Sequence, residues 1–310
     1  MGYSAGTDWS ASLQYDYINQ SQLRSGASPI SQSQVAAIND AGGNQEVENS
    51  TVNHYTTLGL SYAPNADWNF KLMAPYISRS HSTYGPASNP LTPDQMSYAN
   101  VSGLGDIKML VNFQGLLPTH NFGLQAGMKL PTGSYGGQNT VTNAIVGKNP
   151  VYFGNSGNSA GQVLDTSLQA GNGSTDFILG SYYYQAVSQD FDAFVSGQYQ
   201  ASVSQKLNQT GADYRPGNSM NVSFGVRYEA NPSIVPQLQV NITKKNADSG
   251  ALVDTSNTAG TVVYLSPGVT TMIASSTQLF AFMQVPVYSR LSGYQLFPRW
   301  TASVGISHAF

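Results

Sequence analysis

The sequence contains no cysteine and little charge. The lack of cysteine excludes disulfide bonds, thiolate metal sites and cysteine nucleophiles. Charged residues make up 9% of the chain, far below the roughly 25% of soluble domains. The net charge of −3 provides no basic surface of the kind that binds nucleic acid. No apolar run approaches the ~20 residues that a membrane-spanning helix needs. These absences argue against a soluble domain and against a helical membrane protein.

The residues that are abundant favour strands and turns. The chain has 31 Gly, 19 Tyr, 12 Phe and 3 Trp, and aromatic residues are frequent in strands. Low charge combined with intermediate hydropathy is typical of a transmembrane β-barrel, in which apolar lipid-facing and polar lumen-facing residues alternate. Met1-Gly2, followed directly by polar sequence, is typical of a mature secreted chain with an added initiator.

Alternating apolar and polar positions predict twelve strands. These lie near 8–19, 51–63, 68–81, 105–116, 121–132, 175–187, 191–204, 218–230, 233–247, 260–273, 277–289 and 294–310. Long connections such as 20–50, 82–104 and 133–174 alternate with short ones such as 64–67. Bacterial outer-membrane barrels have long extracellular loops and short periplasmic turns. We therefore expect an all-β, transmembrane, antiparallel up-and-down barrel in the lipid bilayer of the bacterial outer membrane, formed by residues 1–310 as one domain.

The last predicted strand supports this expectation. Its outward residues would include Trp300, Val304 and Phe310, and small residues would face inward. A terminal aromatic residue that closes an alternating strand resembles the C-terminal insertion signal of outer-membrane barrels.

Several motifs also resemble those of one outer-membrane family. They include Gly105-Asp106 and the run Lys129-Leu130-Pro131-Thr132-Gly133, together with segments at 112–115, 168–176, 263–269 and 284–288. They resemble the signature of the family named for the MetA pathway of phenol degradation, and the resemblance covers about 100–310. It implies a barrel that acts as a transporter and is sometimes encoded beside catabolic pathways for aromatic compounds.

Most charged residues fall on the predicted lumen face, because charge on the lipid face would cost up to a few kcal/mol near the bilayer midplane. The candidate pore-lining residues are Asp16, Lys71, Asp106, Lys108, Gln125, Lys129, Asp176, Arg227, Glu229, Gln239, Lys245, Gln284 and Arg299. They would either select small organic solutes, aromatic compounds among them, or pair with one another and fill the interior. Asp106 and Asp176, with Lys108 and Lys129, would form a constriction at the outer mouth or fix the roots of the loops.

Two other functions are open. The long loops could bind a partner, which would make the protein a surface-interaction barrel. A barrel hydrolase is the least favoured function, since only His54 and His81 fall near each other, at the outer ends of neighbouring strands. We expect no enzymatic activity, no cofactor and no metal.

Overall fold

An antiparallel sheet that closes on itself dominates the computed structural model, which describes residues 9–310. Met1-Gly2 and the first residue of the predicted strand 8–19 lie outside the described residues. The strands are β1 (Trp9–Gly26), β2 (Ser28–Pro29), β3 (Glu48–Tyr62), β4 (Trp68–Thr83), β5 (Ser97–Leu104), β6 (Ile107–Phe113), β7 (Phe122–Leu130), β8 (Tyr135–Gln138), β9 (Ile145–Lys148), β10 (Ser174–Ala186), β11 (Phe191–Gln205), β12 (Asn208–Gln209), β13 (Ala212–Asp213), β14 (Ser219–Tyr228), β15 (Ile234–Lys245), β16 (Gly260–Ala274) and β17 (Thr277–Ala309). The helices are α1 (Gln32–Asp40) and three single 3₁₀ turns, Pro93–Gln95, Thr166–Leu168 and Thr255–Asn257.

Eleven of these strands form the closed ring, with β2 and β5 beside it. The ring closes because β17 pairs with β16 through its first half and with β1 through its second half. This strand doubles back near Gly293, whose φ of +55° suits a tight turn. The two halves meet where Thr277 Oγ1 lies 2.8 Å from His308 Nδ1. The last two predicted strands are therefore the two halves of β17, and the predicted barrel of about twelve strands is confirmed.

The two ends of the barrel differ as the sequence predicts. Connections of two to eight residues join the strands at one end, which we call the short-turn end, and the long connections lie at the other, the long-loop end. The long connections contain more regular structure than the sequence analysis assigned to them. The predicted loop 20–50 holds the end of β1 and helix α1, the loop 82–104 holds β5, and the loop 133–174 holds the β8–β9 hairpin.

The outer wall of the barrel is apolar. Side chains such as Phe70, Leu124 and Val304 are exposed on it and alternate with buried or half-buried inward residues. Aromatic rings pair between neighbouring strands near the short-turn end, for example Trp9 with Tyr62, whose centroids lie 4.7 Å apart. No helix among residues 9–310 is long and apolar enough to span a membrane.

Two apolar clusters hold the long connections in place. Ser31 caps the N-terminus of helix α1 and forms a capping box with Gln34. The helix buries Val35 and Ala36 against Leu23, Val47 and Leu296. The second cluster packs Ala99 and Val101 of β5 against residues of the connection between β7 and β10, which are Phe153, Leu164 and Ala170. The long-loop end is therefore a packed structure built on the barrel wall.

Candidate functional site

A ladder of polar side chains runs across the inner face of β6, β7 and β11. Gln198 Nε2 donates to Gln125 Oε1 at 2.6 Å, and Gln125 Nε2 donates to Asn112 Oδ1 at 2.8 Å. The hydroxyl of Tyr182 donates to Gln114 at 2.6 Å. These bonds satisfy polar groups that the outer wall keeps away from bulk water.

A buried ion-pair cluster lies on the same wall, closer to the long-loop end. Lys129 Nζ lies 2.7 Å from Asp106 Oδ2 and 3.6 Å from Asp176 Oδ2. All three residues are buried: Lys129 is 5% exposed, Asp106 is 9% exposed and Asp176 is 3% exposed. Lys129 also donates to the side chain of Asn172 at 2.7 Å and to the carbonyl of Ser174 at 2.8 Å. Two carboxylates and two neutral acceptors thus compensate a single buried ammonium group.

The same cluster holds both ends of the connection between β7 and β10, residues 131–173. Asp106 accepts hydrogen bonds from the backbone N–H of Gly133 at 3.1 Å and of Asn172 at 3.3 Å. A Cβ on Gly171 would lie 2.5 Å from Asp106 Oδ1 and 3.0 Å from the Cα of Gly133. Glycine is therefore required where the two ends of the connection meet. The motifs at 105–106, 129–133 and 168–176 converge here.

Arg79 also contributes to this wall and is not among the candidates predicted from the sequence. It is buried on β4, donates to Asn53 at 2.5 Å and to Tyr55 at 2.9 Å, and reaches the carbonyls of Leu168 and Gln169. Arg79 thereby binds the returning part of the 131–173 connection to the inner face of β3 and β4. The alternation that places Lys71 inward also places Arg79 inward, so the signal was present in the sequence.

A cluster of carboxylates joins three of the long connections. Glu46 and Glu48 approach Asp165 and Asp254, and Glu46 shares a hydrogen bond with Asp165. Burial, followed by repulsion from Asp165 and Glu48, raises the pKa of Glu46 well above its ordinary value. Partial loss of hydration among the surrounding loops, followed by the charge of Asp254, raises the pKa of Asp165. Within residues 9–310 no group of three or more metal-ligating side chains is placed to hold a metal ion.

The other candidate pore-lining residues do not form a single site with the ion-pair cluster. Lys108 donates to Gln200 at 3.3 Å, and Gln200 donates to Asp176 at 2.5 Å, which connects Lys108 to the ion-pair cluster. Asp16 lies on β1, where it accepts from Ser303 at 2.5 Å. Gln239 and Gln284 lie on β15 and β17, where Gln284 accepts from Asn241 at 3.4 Å. Their selectivity role stays a prediction.

The remaining five charged candidates lie away from the ion-pair cluster, and among them only Arg227 and Glu229 contact each other. Arg227 pairs with Glu229 at 2.6 Å where β14 reaches the short-turn end. Lys245 pairs with the buried Asp248 at 2.7 Å at the long-loop end. Lys71 is half-buried on β4, and Arg299 is exposed in β17, next to a pocket of about 310 Å³ that helix α1 also lines.

The structure separates the two histidines that were considered for hydrolysis. His81 is buried on the inner side, where Nδ1 lies 2.8 Å from Thr51 Oγ1. His54 is bonded to the hydroxyl of Tyr15 at 2.6 Å on the outer side and contacts the ring of Tyr17. On β3, His54 lies three residues from Thr51, which is the partner of His81 in the sheet. Because successive side chains of a strand point to opposite faces, this odd separation places the two histidines on opposite faces. The expected approach of His54 to His81 was therefore wrong.

Comparison with solved structures identifies related folds. The COG4313 outer membrane channel from Pseudomonas putida F1 superimposes with a TM-score of 0.64 at 10% identity, over 98% of this chain and 96% of that chain. The β domain of the Bordetella autotransporter BrkA gives 0.51 at 11% identity, over 98% and 100%. The transport unit of the autotransporter AIDA-I from Escherichia coli gives 0.50 at 9% identity, over 98% and 91%. The chain therefore has the fold of outer-membrane β-barrels.

Sequence comparisons add no family. No family model matches the chain, and no curated protein matches it. The resemblance to the phenol-degradation family thus rests on the motifs alone.

Proposed function

We propose that the protein is a passive channel of the bacterial outer membrane for small organic solutes. The observation that carries this proposal is the contrast between the two faces of the closed ring. The outer face presents apolar side chains, as a lipid-embedded wall must. The inner face presents Gln, Asn, Lys and Asp side chains, which can replace the hydration of a passing solute.

Two further observations support transport rather than a purely structural barrel. The fold is similar to that of the Pseudomonas putida channel along nearly the whole length of both chains. The connection 131–173 is bound to the inner wall by Arg79 and by the Asp106–Lys129 pair. A connection held inside a barrel narrows the passage and limits the size of the solutes that cross it.

The finer assignment concerns the substrate class. The motifs resembling the phenol-degradation family meet at the ion-pair cluster, and this family is associated with aromatic catabolism. Aromatic rings also lie on the inner face, where Phe280 covers Gly305 and Phe282 covers Gly268. We therefore assign small aromatic compounds as the favoured solutes, and we place the protein in this family as part of the proposal.

Solute flux into liposomes tests the proposal. Liposomes that contain the purified barrel are expected to swell in isosmotic solutions of small aromatic acids and small neutral solutes, and to swell more slowly as solute size increases. Phospholipid liposomes without protein are the control. Swelling rates equal to those of empty liposomes for every solute would contradict the proposal.

A further inference from the structure

Exposed charge occurs at very few positions of the ring strands, and all of them are basic. In the ring strands of the described chain, the exposed charged residues are Lys244, Arg290 and Arg299. Within residues 9–310 none of the three side chains has an ion-pair or hydrogen-bond partner. The acidic residues of these strands are buried or half-buried. The exposed charge of the ring strands is therefore all positive.

Lys244 and Arg290 lie in one row across three neighbouring strands. Lys244 of β15 pairs with Thr261 of β16, and Thr261 pairs with Arg290 of β17. Because neighbouring strands lie about 4.8 Å apart, the two Cα atoms are separated by about 10 Å. Both side chains are long enough for their charged groups to reach a single anion between them.

This row marks the edge of the apolar wall. The next row towards the short-turn end consists of Ile242, Val263 and the exposed Tyr288. On the other side, β15 ends at Lys245 and the connection 246–259 begins. Basic side chains in this position cost little, since the penalty for charge on a barrel wall falls to about 0–1 kcal/mol near the interface.

Neighbouring side chains leave the two charges uncompensated. Lys245 is paired with the buried Asp248, which also accepts from Tyr214 at 3.2 Å and from the N–H of Gly217 at 2.7 Å. Asp248 therefore interacts with groups other than Lys244 and Arg290. Above the row lies a pocket of about 510 Å³ that Lys244, Thr261, Arg290 and Ser292 help to line.

We infer that Lys244 and Arg290 form a binding site for the phosphate groups of an anionic membrane lipid, such as the lipid A of the outer leaflet. Arginine and lysine hold phosphate through a fork of N–H donors and a point charge. The aliphatic and aromatic residues below the row contact acyl chains, and the pocket above it accommodates the sugar headgroup. The inference rests on the proposed placement of the barrel in the outer membrane, with its long loops outward.

Binding of purified lipid A to the full-length barrel in detergent tests this inference. The variants are wild type, the double variant Lys244→Gln/Arg290→Gln, and the control Lys148→Gln, which removes one exposed positive charge on β9, away from the row. Each basic side chain near an anionic lipid contributes roughly fivefold in affinity, so the double variant is expected to bind about 25-fold more weakly. The Lys148→Gln variant is expected to bind as wild type does.

The ligand is varied in the same assay. Lipid A without its phosphates is expected to bind wild type as weakly as bisphosphorylated lipid A binds the double variant. Inorganic phosphate is expected not to compete, because it lacks the acyl chains. Equal binding by wild type and the double variant, or equal losses in the double variant and Lys148→Gln, would overturn the lipid site. Efficient competition by inorganic phosphate would show a site for free anions and would overturn the lipid assignment.

Failure of this site and failure of the channel are distinguishable. Solute flux in phospholipid liposomes free of lipid A is expected to be the same for wild type and the double variant, because the row lies on the outer face. A wild-type barrel that binds lipid A but passes no solute would contradict the channel alone. If wild type passes solute, but wild type and the double variant bind lipid A equally well, the result would contradict the lipid site alone.

Discussion

At the scale of single residues, Asp106, Lys129 and Asp176 show how a charge can be kept inside a wall that faces lipid. Burying one ammonium group is unfavourable unless good partners surround it. Here Lys129 has two carboxylates and the oxygens of Asn172 and Ser174 around it. The cluster is also the point at which both ends of the 131–173 connection are bound. Its role in fixing the loop roots is visible in these contacts.

Replacing Lys129 with alanine leaves Asp106 and Asp176 as neighbouring unpaired carboxylates. We expect the free energy of unfolding to fall by about 3–5 kcal/mol, since removing one partner of a buried pair leaves an uncompensated charge. Urea unfolding in phospholipid vesicles measures this loss. Lys71→Ala is the matched control, because Lys71 is half-buried and has no ion-pair partner within residues 9–310. Equal losses in the two variants would show that the ion pairs do not stabilise the barrel.

At the scale of elements, most strands could be predicted because the same alternation runs through each of them. β5 was missed because its alternation is inverted. Ala99 and Val101 face inward onto Phe153, whereas Tyr98 and Asn100 are exposed outside. This inversion occurs where the wall rises beyond its apolar band and encloses a packed connection. Helix α1 had a detectable signal in the capping box formed by Ser31 and Gln34, which precedes an apolar run.

The candidate site was predictable only where it depends on alternation. The inward positions of Gln125 and Lys129 followed from the pattern along β7. The proximity of Asp106 to Lys129 was expected from their places at the strand ends, but the direct ion pair depends on how β6 and β7 align. The carboxylate cluster had no signal at all, since Glu46, Asp165 and Asp254 come from three connections that are distant in sequence.

The carboxylate cluster predicts a pH dependence of the long-loop end. The pKa of Glu46 is raised in the packed state. Below the ordinary pKa of a glutamate the side chain is protonated whether or not the loops are packed, so its titration does not destabilise the packing. As the pH rises from there towards the raised pKa, the free energy of packing becomes less favourable. Packing is therefore expected to be tighter at acidic pH. The distance distribution between spin labels on Asn44→Cys and Ala251→Cys, in a chain without native cysteine, should narrow from pH 8 to pH 5.

Glu46→Gln is the variant that tests the cause of this dependence. It is expected to keep the narrow distribution at both pH values, because glutamine carries no charge in the cluster. Asp94→Asn is the control, because a hydrogen bond with Thr92 holds the pKa of Asp94 below its ordinary value. This variant should retain the pH dependence. A distribution that does not change with pH in the wild type would contradict this account of the cluster.

At the scale of the whole molecule, the closed ring separates an apolar outside from a polar inside. Leu238 is exposed on the outer face of β15, and its neighbour Gln239 points inward. We expect Leu238→Arg to reduce the free energy of unfolding in lipid vesicles by about 2–4 kcal/mol near the midplane. Gln239→Arg should reduce it by less, because the inner face provides polar partners. An equal loss for both variants would contradict the assignment of the two faces.

Single-channel conductance in planar phospholipid bilayers tests the central claim most directly. Wild type is expected to show discrete conductance steps. Asp106→Asn weakens the binding of the 131–173 connection at both ends and is expected to give larger or noisier steps, whereas Asp94→Asn is expected to match wild type. A correctly folded wild-type barrel that inserts into the bilayer and carries no current would contradict the assignment of this protein as a channel.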